Sequence, residues 1–172
     1  MLRRVDPVKV AQDKWLDVEP IAMNRSRRVF ISCGQQTPAE IALGKRMAQL
    51  VAENTGLEGY FAEYQQSLEG VTGNIFNAIR SSAAFIAVMH RRDALPKGEF
   101  RGSVWIEQEI AIAAFLAQSL GAAPPARVYI QHGIRREGVR GFILLNPREF
   151  ETDEEILRDL EAWWPFLKKV AQ

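Results

Sequence analysis

Trp105 and Glu109 stand four residues apart in the run Ser103-Val104-Trp105-Ile106-Glu107-Gln108-Glu109-Ile110. On a helix that spacing puts the indole and the carboxyl on one face. Ile106, Ile110 and Ala113 take the neighbouring face, which belongs to the core. Glu109 is then expected at the boundary of that face, and Glu107 is expected in solvent. A carboxylate beside apolar surface serves as nucleophile, as base, or as the stabiliser of a developing sugar cation. On spacing alone, a surface glutamate on an amphipathic helix explains the pattern better.

Two other segments carry chemistry-bearing side chains. His90–Gly102 (HRRDALPKGEFRG) holds Arg91, Arg92, Lys97 and Arg101. Arginine forks match phosphate oxygens, and the Pro and Gly residues allow a mobile cover, against the plainer reading of a solvated loop. Ser32-Cys33-Gly34-Gln35-Gln36 joins a strand to a helix, where backbone N–H groups hold anions. Every doubly wound protein has such a turn, so this signal is weak. Neither a GxxxxGK[ST] loop nor a GxGxxG fingerprint occurs. Cys33 at a helix N-terminus has the position of a nucleophile. It lacks an evident base, and a small packed residue is the preferred reading.

The composition narrows the classes. With 172 residues, 47% hydrophobic and 25% charged, the chain fits one globular domain able to bury its own core. The net charge of +1 argues against a nucleic-acid partner. One cysteine excludes an intramolecular disulfide framework, and with only two histidines, His90 and His132, no metal centre and no prosthetic group are expected. No apolar run reaches the length of a membrane span. The first residues lack the apolar stretch of a secretory signal, so no membrane partner and a reducing cytoplasmic location are expected. Residues 1–28 sum to +3 and residues 148–172 to −3, most simply two solvated faces.

These residues need elements to position them. Residues 1–26 contain Pro7 and Pro20 and read as a lead-in arm, leaving 27–172 as the domain. Arg28–Ser32 is a β-branched and aromatic run ending at Cys33-Gly34, as a buried strand does. Thr37-Pro38-Ala39-Glu40 has the makings of a capping box with Pro at the first helical position. Ile41, Leu43, Met47, Leu50 and Val51 then stripe a helix that stops near Asn54-Thr55-Gly56. Glu58–Ala62 reads as a strand, Thr72–Arg80 as a helix, and the wholly apolar Ala83–Met89 as a central strand buried on both faces. Val104–Leu120 is a helix, Ala126–Gln131 a strand, Phe142–Leu145 a short fifth strand and Asp153–Val170 a closing helix. The alternation predicts an α/β, flavodoxin-like three-layer sandwich around a parallel sheet of about five strands.

In this order, the segments resemble those of TIR domains, especially bacterial TIR-like proteins, from about Arg28 to Lys169. Arg28–Ser32 (RVFIS) is similar to the family's first strand. Tyr60–Glu63 with Leu68-Glu69-Gly70 resembles the second strand and its BB loop. Ile75, Ile79 and Ser81-Ser82 match the helix and serine before the third strand, Ala84–Met89. Ser103-x-Trp105-x-x-x-Glu109-Ile110-x-x-Ala113 looks like the αC signature. The chain departs from the pattern at Cys33-Gly34-Gln35, in the BB loop and at His90–Asp93.

Many such domains cleave NAD. The resemblance implies Glu109 as catalytic carboxylate and Trp105 as site wall, with NAD as substrate. It puts Ser32, Cys33, Gly34 and Glu63 beside the nucleotide, with Arg91 and Arg101 on the same rim, and it implies TIR–TIR self-association into homo-oligomers. For that role Glu109 has to be ionised and face a crevice at the rim of the sheet. Two other readings stand beside this one. One is a non-catalytic TIR module that binds a nucleotide messenger or a protein. The other is a nucleoside deoxyribosyltransferase-like enzyme, whose Asp-Gly-x-x-x-Asp-x-Gly-Thr pattern is absent.

Overall fold

In the computed structural model, residues 26–61, 68–120, 124–141 and 146–170 are described. The predicted lead-in arm, apart from Ser26, lies outside them, as does Glu63. Strand β1 (Ser26–Cys33) leads to helix α1 (Pro38–Thr55), strand β2 (Glu58–Phe61), helix α2 (Leu68–Ser81) and strand β3 (Ser82–Met89). Helix α3 (Val104–Leu120), strand β4 (Ala126–Gln131), strand β5 (Arg148–Phe150) and helices α4 (Asp153–Glu161) and α5 (Trp164–Val170) follow. The strands form one sheet in the order β2-β1-β3-β4-β5. Every pairing is parallel, which is the flavodoxin-like arrangement.

The centre of the sheet follows from composition. All eight residues of β3 are buried, because helices cover both faces of a parallel sheet. Alternation along the strands then sorts side chains into two cores. Val29, Ile31 and Cys33 of β1 join Ile86 and Val88 of β3 under α1, α4 and α5, together with Met47, Ile156, Leu160 and Trp164. Phe30 joins Phe85, Ala87 and Met89 on the opposite face, under α2 and α3, with Ile79, Ile106 and Ile110.

The termini of α1 are set locally. Thr37 Oγ1 accepts the Glu40 N–H at 3.2 Å and the Glu40 carboxylate accepts the Thr37 N–H at 3.3 Å. At the other end Gly56, at φ 71°, donates its N–H to the Ala52 carbonyl, a left-handed cap that glycine adopts without strain.

One predicted element lies outside the described residues and two others differ. The expected strand Phe142–Leu145 lies outside the described residues, and β5 instead runs over Arg148–Phe150. This edge strand buries only Phe150, so no apolar run marks it. The closing helix is broken at Ala162-Trp163. Pro165 follows the break, and its ring is incompatible with a continuous helix through this point. Helix α2 begins at Leu68, so Leu68-Glu69-Gly70 is helical backbone rather than loop. Among the described residues, no helix is long and apolar enough to cross a membrane.

Candidate active site

Parity along β1 decides what its carboxyl end presents. Ser32 follows Phe30 in pointing toward α3, whereas Cys33 points toward α1. Ser32 pairs with Ala87 of β3 in register, at the junction where strand order reverses and ligands bind in such sheets. Across the gap, α3 begins with the Ser103 hydroxyl accepting the Ile106 N–H at 3.4 Å, as N-capping serines do. Ile106 and Ile110 turn into the core, and this rotation carries Glu109 inward as well.

The structure brings Ser32, Trp105 and Glu109 together. The Ser32 hydroxyl donates to Glu109 Oε2. The Trp105 indole donates to Oε1 at 3.0 Å. The four-residue spacing therefore yields the expected shared face, but not the expected boundary position, because Glu109 is only 4% exposed. Trp105, by contrast, is 46% exposed. Burial pushes the Glu109 carboxyl up to about 7, and the Ser32 and Trp105 hydrogen bonds work against that rise. Desolvation disfavours the anion and the two donors favour it, so the group titrates close to neutrality.

A cleft of about 500 Å³ opens at the carboxyl ends of β1, β3 and β4, lined by Gln36, Thr37, Glu40, His90, Arg92 and Asp153 among others. Glu109 lines neither this cleft nor the second one described below, so the crevice expected beside it is not seen at its carboxyl. Here the anion-binding turn is filled from within. The Glu40 carboxylate accepts the Gln36 N–H at 2.8 Å and the Thr37 N–H at 3.3 Å, and also the Arg92 guanidinium. Burial raises the Glu40 carboxyl, but the Arg92 and Gln36 donors outweigh it and hold the group below its ordinary range. A Cβ at Gly34 would lie 2.5 Å from both Arg92 Nη2 and Glu40 Oε2, so glycine is what admits this ion pair. His90 Nε2 lies 3.3 Å from Asp153 Oδ1. Its ring meets Phe150 edge-on, with centroids 5.4 Å apart.

The remaining expected residues have other partners. Cys33 is buried, with its thiol 3.5 Å from the Glu40 carbonyl. Burial, with the Glu40 and Asp153 carboxylates adding to it, pushes the thiol up to about 12, which removes the thiolate a nucleophile needs. Arg91 lies over the Phe100 ring, donates to the His132 carbonyl at 2.6 Å and binds Glu151 at 3.0 Å. Arg101 faces Glu137 at 3.6 Å in a second cleft, of about 270 Å³. Neither arginine is a partner of the Glu109 carboxyl. The expected mobile cover over residues 91–102 is a strapped segment. The Arg92 and Arg101 N–H groups bond to Arg101 and Asp93 carbonyls, and Phe100 exchanges hydrogen bonds with Gly133 and Arg135.

Glu107, expected in solvent, is instead ion-paired. Its carboxylate accepts Arg140 Nε and, at 3.1 Å, the Arg140 N–H. Arg140 is buried. No local pattern announces a pair 33 residues apart; a lone arginine in a Gly-flanked turn, Gly138–Gly141, was the only sign. Among the described residues, no group of three or more His, Cys, Asp or Glu side chains is placed to hold a metal ion. Compared with known proteins, the chain matches no family model, and no curated protein matches it either.

Proposed function

We propose that the chain is a TIR-like NAD glycohydrolase or cyclase that breaks the bond between nicotinamide and ribose. The observation that carries this reading is Glu109, a buried carboxyl held by Ser32 and Trp105 without an ionic partner among the described residues. In NAD the leaving nicotinamide is already a pyridinium. It takes the bonding electron pair and departs neutral, so no strong general acid is required. The ribose is left as an oxocarbenium ion, which an ionised Glu109 stabilises. Water then adds and releases a proton, or an atom of the same molecule closes a ring. One carboxylate suffices, where ordinary glycosidases use two. Trp105 forms the wall that a ribose passes to reach the carboxyl.

The reading assigns NAD as substrate rather than prosthetic group, homo-oligomeric self-association, a cytoplasmic site of action and a role in bacterial defence or stress signalling. The test is nicotinamide release from NAD by the concentrated, assembled protein, with products separated by chromatography. Wild type is expected to turn over NAD and Glu109→Gln to lose at least about a hundred-fold, the scale of a lost charge-stabilising group. Equal inertness of both under every assembly condition removes the reading.

A second reading, a non-catalytic module that binds a nucleotide, draws on a different observation. The larger cleft lies at the β1/β3 junction and Glu109 is not among its lining residues. Cyclic-nucleotide binding without turnover supports this alternative, and clean NAD turnover ends it.

A further inference from the structure

We infer that Ser32 is a positioning residue for the cleavage proposed above: its hydroxyl, presented from strand β1, orients the Glu109 carboxyl and favours its anionic form. The inference rests on that reading of Glu109 but makes a separate claim. Ser32 is 2% exposed and Glu109 4%, so hydroxyl and carboxyl are enclosed together. Its hydroxyl is committed to Glu109 Oε2 across 77 residues of sequence. The sequence resemblance puts Ser32 beside the nucleotide; in the structure its hydroxyl meets the Glu109 carboxyl.

The two oxygens of Glu109 are held differently. Oε1 takes the indole of Trp105, a half-exposed ring on the same helix. Oε2 takes a hydroxyl anchored in the buried core of the sheet. Hence the strand supplies the more deeply buried of the two donors. Among the described residues, no charge shares this task. On β1, Arg28 pairs with Glu58 at the surface. On α3 itself, Glu107 is bound to Arg140 of the turn packed against it. Apart from Ser82, β3 contributes apolar side chains. Arg80, in the last turn of α2, does not act on Glu109. Burial and the two neutral donors are what set its protonation.

Removing a hydrogen bond from a neutral donor to a buried anion favours the protonated acid. Such bonds to charged groups correspond to roughly one to two units of pKa. The titration of Glu109 in the full chain without NAD therefore tests the inference directly. It is followed by the infrared carboxyl band, assigned by its loss in Glu109→Gln. Ser32→Ala is expected to raise the midpoint by about one unit, a ten-fold gain in proton affinity. Ser32→Thr keeps the hydroxyl and is expected to stay near wild type. Ser32→Cys, close in size but a weak donor, is expected to rise as well, and it serves if the alanine variant fails to fold. The acid limb of NAD cleavage should move by the same amount. An unmoved midpoint in the folded alanine or cysteine variant overturns the inference. A shifted midpoint in a chain that never cleaves NAD upholds the Ser32–Glu109 coupling and removes the cleavage reading; cleavage with an unmoved midpoint does the reverse.

Discussion

Replacing Arg92 by methionine should expose how the rim of the sheet is held together. The Glu40 side chain is 5% exposed and that of Arg92 15%, so their pairing is shielded from water. Removing one partner of such a pair leaves a desolvated charge and destabilises by about 3–5 kcal/mol. Glu40 keeps the Gln36 and Thr37 N–H groups as donors, which places the expectation at the lower end, about 3 kcal/mol. For a chain of this length, that lowers Tm by about 6–12 °C. Urea and thermal unfolding at neutral pH measure it.

The pH dependence has a definite sign. Despite burial, Arg92 and the backbone donors hold the Glu40 carboxyl below its ordinary range. The pair's contribution is therefore present above the unfolded value of about 4.3. It is lost as pH falls through the still lower folded value. The deficit of Arg92→Met should shrink over that acid range, and adding Glu40→Gln should recover part of it at neutral pH. A deficit below about 1 kcal/mol, the size expected of an exposed pair, refutes the argument. So does a deficit that does not change with pH.

Two further outcomes follow from burial. The Cys33 thiol, buried and pushed up to about 12, should resist aromatic disulfide reagents in the native protein and react fully in denaturant; fast native labelling contradicts its placement. Arg140→Met should destabilise by about 3 kcal/mol, because it leaves Glu107 partly buried without its cation. Arg140→Lys should recover little of this in urea unfolding, since a lysine cannot reproduce the guanidinium fork.

Much of the frame was legible because it is local. The unbroken apolar run of β3 needs both faces covered, whatever lies beside it. The Thr37-Pro38-Glu40 pattern starts α1 through contacts three residues apart. Ser103 at the start of α3 and the Trp105–Glu109 spacing are likewise properties of one helix. Where local signals are weak, less is legible. The three residues of β5 bury one side chain, too few to register, and a helix stripe continued past Trp163 although Pro165 stands just beyond.

From the sequence alone come the order of strands and helices and the doubly wound class, which rest on short-range periodicity and capping, and the candidacy of Glu109, which rests on the resemblance to TIR domains. Only the tertiary structure decided what those residues meet. Ser32 faces Glu109 because strand parity turns it toward α3, 77 residues away. Glu40 fills the anion-binding turn because β3 ends beside β1 and delivers Arg92 from 52 residues on. Glu107 leaves solvent because a turn 33 residues later lays a guanidinium against it. Each of these contacts depends on which strands are neighbours and which way a side chain turns, and a one-residue change of register would reverse the facing of every side chain along a strand. Burial, and with it the protonation of Glu109, is a property of the packed layers rather than of any segment within them.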